Sequence, residues 1–181
     1  MMRMSLVALF ATSALAISPA PVAVRYTVAP DENEARYRVR EQLMHHDLPN
    51  DAVGKTTTIT GGISLSASGA IDTAASKITI DVTSLKSDQE RRDGYVQHRT
   101  LETGQYPTVV FVPTSMIGTK MPLANTEQSF DVAGNLTVHG VTKPTVWHVK
   151  AKSSGNDVTG AGGRSSPSPT CSSRSHTCRF C

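Results

Sequence analysis

The sequence has few aromatic rings and, over most of its length, no cysteine. Aromatic residues make up 5% of the 181 residues, with a single tryptophan, and the three cysteines, Cys171, Cys178 and Cys181, all lie close to the C-terminus. A body without cysteine excludes a disulfide framework, so burial and strand pairing have to hold the domain together. Charge of neither sign dominates. Eighteen Lys and Arg stand against 15 Asp and Glu, a formal net charge of +3, and Arg3, Arg164, Arg174 and Arg179 sit at the two ends. The stretch between them is close to neutral, which excludes a broad nucleic-acid or anionic-membrane surface. Past the N-terminus no apolar run approaches the ~20 residues that a spanning helix needs.

Catalytic signatures are missing too. There is no G-x-S-x-G elbow for a nucleophilic serine. Ser64, Ser66 and Ser68 alternate as the wet side of a strand would. His98 sits among charges and reads as a solvent-facing helix residue. His45 and His46 are adjacent, so on a strand they point to opposite faces and chelate one ion poorly. His139 and His148 are isolated and are expected to flank a turn. No set of ligands has metal-site spacing, and no cofactor is implied. The "GAGG" at 160–163 lacks the Lys-Ser/Thr of a phosphate loop. The "NLT" at 135–137 is a glycosylation sequon.

What is present begins with "MMRMSLVALFATSALA", an arginine, an apolar run and a small-residue end. This is the pattern of a secretory signal over residues 1–16, and it predicts a periplasmic or secreted mature protein. A body over 17–160 follows, and its hydrophobic period is two, the mark of half-buried strands. "VRYTV" opens the series. "YRVREQL" sets Tyr37 and Val39 against three arginines, and "ITGGISL" aligns Ile59, Ile63 and Leu65. "KITIDVTS" aligns Ile78, Ile80 and Val82, and "TVVFVP" aligns Val109 and Phe111. "SFDVAGNLTVHG" aligns Phe130, Val132, Leu136 and Val138, and "TVWHVK" aligns Trp147 with Val149. "PNDAVG", "SASGAID", "GTKMP" and "HGVTKP" read as turns between the strands. Many short strands with such punctuation predict an all-β antiparallel sandwich or barrel.

One segment departs from this period. "SDQERRDGYVQHRTLETGQYP", residues 87–107, predicts a short helical crossover. Ser87 and Glu90 fit a capping box, and Asp88 and Arg92 have i,i+4 spacing. Tyr95 and Val96 are expected to face the core, with Arg91, Arg92 and Arg99 in solvent; Gly104 and Pro107 stop the helix.

Taken in order, Arg92-Asp93, Tyr106-Pro107 running to Phe111, Gly134 to Thr137, and Gly140 to Pro144 resemble the YceI-like family of lipocalin-like, polyisoprenoid-binding proteins. The resemblance spans about Tyr26 to Gly160. It implies an antiparallel barrel of about eight strands, with the crossover helping to close one end. It also implies a long isoprenoid lipid or isoprenoid quinone held in the apolar interior, serving transport, storage or stress protection. The inward residues named above are then the candidate lipid-binding lining: Tyr37, Val39, Ile59, Ile63, Leu65, Ile78, Ile80, Val82, Val109, Phe111, Phe130, Val132, Leu136, Val138 and Trp147. Such a site needs a dry wall and no catalytic group. The competing readings are a lipid-modifying hydrolase with a dispersed site, and a ligand-free structural protein whose apolar residues fill a solid core.

From residue 161 the alternation stops and Ser, Arg, Pro and Cys take over, a composition that predicts a disordered tail over 161–181. The change near Gly162 is abrupt enough to suggest a shifted reading frame. Cys171, His176, Cys178 and Cys181 would make a weak metal set. A barrel short of its last strands would leave an edge open, which predicts aggregation, a homodimer formed by strand exchange, or poor lipid retention.

Overall fold

The computed structural model describes residues 23–41, 50–119 and 121–164. The leader, His45-His46 and the cysteine-containing tail lie outside the described residues. Nine strands occur among the described residues: β1 (Val24–Thr27), β2 (Ala35–Glu41), β3 (Asn50–Thr56), β4 (Ile59–Leu65), β5 (Lys77–Asp81), β6 (Thr108–Ile117), β7 (Gln128–Val138), β8 (Val141–Ser154) and β9 (Asp157–Gly163). One helix, α1 (Glu90–Tyr95), runs into a π-helical turn over Val96–Thr100.

Seven strands form one curled antiparallel sheet, ordered β1-β4-β5-β6-β7-β8-β9, while β2 and β3 pair as a separate hairpin. Among the described residues β1 does not meet β9, so the sheet is a half-barrel with two free edges. The all-β, lipocalin-like fold with one helical crossover is the expected one.

The longest ladder shows why the strands form. On β7, Phe130, Val132 and Leu136 point to one face, and Ser129, Asp131, Asn135 and Thr137 to the other. β8 answers in register from Gln128↔Ala151 to Val138↔Val141. The two-residue turn between them is His139-Gly140, with φ of 51° and 71°. Both residues are left-handed, the geometry whose twist matches a hairpin. Gly140 is needed for a second reason: a Cβ there would stand 2.7 Å from the Tyr106 ring.

Two expectations are corrected. "PNDAVG" is no turn, because Asn50–Gly54 belong to β3, paired with β2 from Glu41↔Asn50 to Ala35↔Thr56. A closing strand was not foreseen near residue 160, yet β9 pairs with β8 from Ser154↔Asp157 to His148↔Gly163. It carries three glycines in seven residues and therefore shows no side-chain alternation.

The core lies on the inner face of β5 to β8. Phe111, Phe130, Val132 and Ala151 are buried there with Leu123, which enters from the β6–β7 connection. That connection is tied to β8 by Ser153 N–H donating to the Ala124 carbonyl at 2.9 Å. The crossover between β5 and β6 lies at the opposite end of β6.

Candidate functional site

Cross-strand partners share a face, so the register assembles the inner surface row by row. One row is Ile78↔Phe111↔Leu136. A second is Ile59↔Ile80↔Val109. A third is Met116↔Val132↔Trp147, beside Phe130↔Val149. Phe111 and Trp147 meet edge to face, with ring centroids 6.0 Å apart and an interplanar angle of 65°. That is a favoured aromatic geometry.

Coverage of this surface is incomplete. Phe111, Phe130 and Val132 are buried, but Ile78, Leu136, Trp147 and Val149 are only partly buried while packing on them. Ile59, Ile63, Ile80, Val109 and Val138 are also half-buried. The half-barrel thus presents a partly covered apolar floor. Leu65, which bridges to Ile71, and Val82, at the crossover end near Leu85, are buried outright. Tyr37 and Val39 belong to the hairpin. Tyr37 lies over Gly54, and Val39 is 54% exposed.

The crossover is built differently from its expected cap. Ser87 does not pair with Glu90. Its N–H and Oγ both donate to Asp93 Oδ1, at 2.8 and 2.6 Å. Asp93 is buried, and these bonds offset the cost of burying its carboxylate. Arg92 pairs with Asp88 as expected, but its side chain is 13% exposed rather than solvated. Tyr95, expected in the core, is 66% exposed. Asp93 takes the inward position, and Tyr95, two residues on, lies about 200° round the helix from it; the turn that follows is wider, with Leu101 N–H donating to the Val96 carbonyl at 2.8 Å. Gln97 then fastens the turn to the carbonyls of Thr83 and Leu85, at 3.2 and 3.1 Å.

Polar groups sit away from the apolar floor. His98 is exposed. His139 lies in the β7–β8 turn, 2.7 Å from Glu102, with its ring tilted 47° against Tyr106 at a centroid distance of 4.4 Å. His148 flanks no turn: it stands on the outer face of β8, 2.6 Å from Asp131. Ser64 is likewise on the outside, bonded to Arg25. Two open clefts of about 490 and 520 Å³ flank the hairpin, lined mainly by polar and charged residues including Glu34, Arg36 and Lys55. Hydrogen bonds from Arg36, and then from Lys55, hold the Glu34 carboxyl below its ordinary range. Among the described residues no three His, Cys, Asp or Glu are grouped to hold a metal. No helix there is long and apolar enough to cross a membrane, which says nothing of strands.

One polar atom does lie in the apolar surface. Trp147 Nε1 is buried without a hydrogen-bond partner. Sequence reasoning placed Trp147 inward but missed its unpaired donor. The available signal was its identity: a lone tryptophan at an inward position carries an N–H that hydrocarbon neighbours cannot satisfy.

The YceI-like domain profile matches residues 26–170. A UPF0312 protein of Vibrio parahaemolyticus is 29% identical over 108 residues, 59% of this chain and 53% of that protein. A UPF0312 protein of Pseudomonas putida is 36% identical over 89 residues, 48% of this chain and 43% of that protein. The chain spans about half the length of these curated relatives. Among solved structures, a polyisoprenoid binding domain from Saccharophagus degradans, implicated in plant cell wall breakdown, is similar with a TM-score of 0.51 and 16% identity, over 71% of this chain and 67% of that one. BcnA of Burkholderia cenocepacia is similar with a TM-score of 0.51 and 19% identity, over 71% of this chain and 74% of that one. At such identities the likeness speaks for the fold alone.

Proposed function

Because the chain belongs to the YceI-like domain family, we propose that it is a non-catalytic binding protein for a long apolar lipid, an isoprenoid or an isoprenoid quinone. The observation that carries this reading is the half-covered apolar floor, where Ile78, Leu136, Trp147 and Val149 pack on a buried cluster yet keep part of their own surface uncovered. Covering that surface with an isoprenoid chain gains about 25 cal/mol per Å² removed from water. The neighbour from Saccharophagus degradans, described as a polyisoprenoid binding domain, lends the ligand class support. The leader pattern supports an exported carrier, in the periplasm or outside the cell, serving transport, storage or stress protection. The β9 edge, unpaired among the described residues, supports pairing of two copies.

Native mass spectrometry of protein exported by its own host tests this reading. A compact ion with extractable mass in isoprene steps is the expected result. A compact ion at the bare protein mass, unchanged when isoprenoid lipid is added back, would overturn it. Cell fractionation with N-terminal sequencing tests the export, and light scattering the pairing.

A further inference from the structure

We infer that Trp147 is a specificity residue that donates a hydrogen bond from its indole N–H to a neutral carbonyl oxygen of the bound lipid. This rests on the binding reading above and adds what the ligand must carry besides an apolar chain. The indole packs against a cluster whose members are hydrocarbon, aromatic or thioether side chains, none able to accept its proton well. Nε1 is buried and has no partner. Desolvating an N–H without an acceptor is costly, so the fold is most stable when something else provides one. The neighbouring chemistry selects that acceptor. A charged oxygen would lose its own hydration in an apolar surface, whereas a carbonyl loses far less. Met116 and Met121 pack on the same cluster. Their flexible thioether chains can shift to let the acceptor reach the ring. A quinone fits these demands, and a plain polyprene hydrocarbon does not.

The chain has one tryptophan, so an isotope-labelled sample of the full chain gives a single indole N–H resonance. The probes are a benzoquinone bearing two isoprene units and the same isoprenoid chain ending in hydrogen. The quinone should move the indole proton downfield, while the hydrocarbon binds and leaves it nearly in place. Calorimetry on Trp147→Phe should show the preference for quinone over hydrocarbon falling by about three- to tenfold, the worth of one neutral hydrogen bond. If both probes bind and move the resonance equally, or the preference survives in Trp147→Phe, the inference is wrong and the binding reading stands. If neither probe binds the parent chain, both fall together. The resonance test uses the unsubstituted chain, so it decides even if the variant folds poorly.

Discussion

The β5–β8 wall and the β2–β3 hairpin are both antiparallel, yet they are held in opposite ways. The wall buries large side chains, Phe111, Phe130 and Val132, on one face. The hairpin buries small residues, Ala52 and Thr56. Its register rests on close approach, with the Tyr37 ring lying where a Cβ on Gly54 would stand, 2.2 Å away. Its other face carries ion pairs: Glu34 with Arg36 and Lys55, and Arg38 with Asp51. Bulk lets a wall present uncovered apolar surface and stay folded, because its cluster is already complete beneath. Shape and charge fix a hairpin without giving it a surface that an apolar ligand would prefer. The two regions are joined by backbone bonds between Lys55 and Lys86, at 2.8 and 2.9 Å, next to the Ser87–Asp93 pair.

Breaking the wall should have the largest effect. Phe111→Ala removes a buried ring at the centre of the cluster, and denaturant titration should show a loss of about 3–5 kcal/mol. The junction comes next. Asp93→Ala removes the acceptor of the Ser87 N–H and leaves its hydroxyl only the longer bond to the Gln89 carbonyl, and a loss of about 1–3 kcal/mol is expected. Amide exchange should rise around Ser87 and Lys55 together; a rise at Ser87 alone would show that the regions are not coupled there. Gly54→Val is expected to cost about 1–3 kcal/mol by driving the Tyr37 ring away. Its exchange changes should stay within β2 and β3, which sharpens the contrast with Phe111→Ala.

The smallest effect is electrostatic. Glu34 has its folded pKa lowered, first by Arg36 and then by Lys55. Its contribution is complete above the unfolded pKa and lost as pH falls through the lowered folded value. Acidification through that window should speed amide exchange in the hairpin and leave β7 and β8 unchanged. Glu34→Gln should abolish the pH dependence.

The same contrast explains what could be read from the sequence. β7 and β8 were legible because bulky inward residues alternate with polar ones, and the inward set on β5, β6 and β7 came together as its period demanded. β3 and β9 were not. "NDAVG" and "DVTGAGG" contain turn-forming and glycine residues whose role appears only beside a partner strand, where Gly54 admits a ring and Gly160 lies against Ala151. The crossover was legible as a helix, but which of its residues faces inward was not: Asp93 is the buried one, and a carboxylate in that role shows only beside its Ser87 partner. The apolar floor could be listed but not distinguished from a solid core, since alternation is the same for both. The identity of Trp147 announces a donor at an inward position, but that this N–H goes unpaired is seen only with its neighbours in place.

The strand order also dictates an order of events. From β4 to β9 every strand pairs with its successor in the chain, two-residue turns close both the β7–β8 and the β8–β9 hairpins, and the longest ladder is the one from Gln128↔Ala151 to Val138↔Val141. β1 is different: Val24 pairs with Leu65, across the intervening hairpin. Local pairings close small loops and form early, while a long closure waits for the surface that rewards it. Folding should therefore run from the β7–β8 ladder outward, with β1 docking last. Pulse-labelled amide exchange should find β8 protected before β1, and the reverse order would refute this. The first strand among the described residues would then be the last piece of the architecture to arrive.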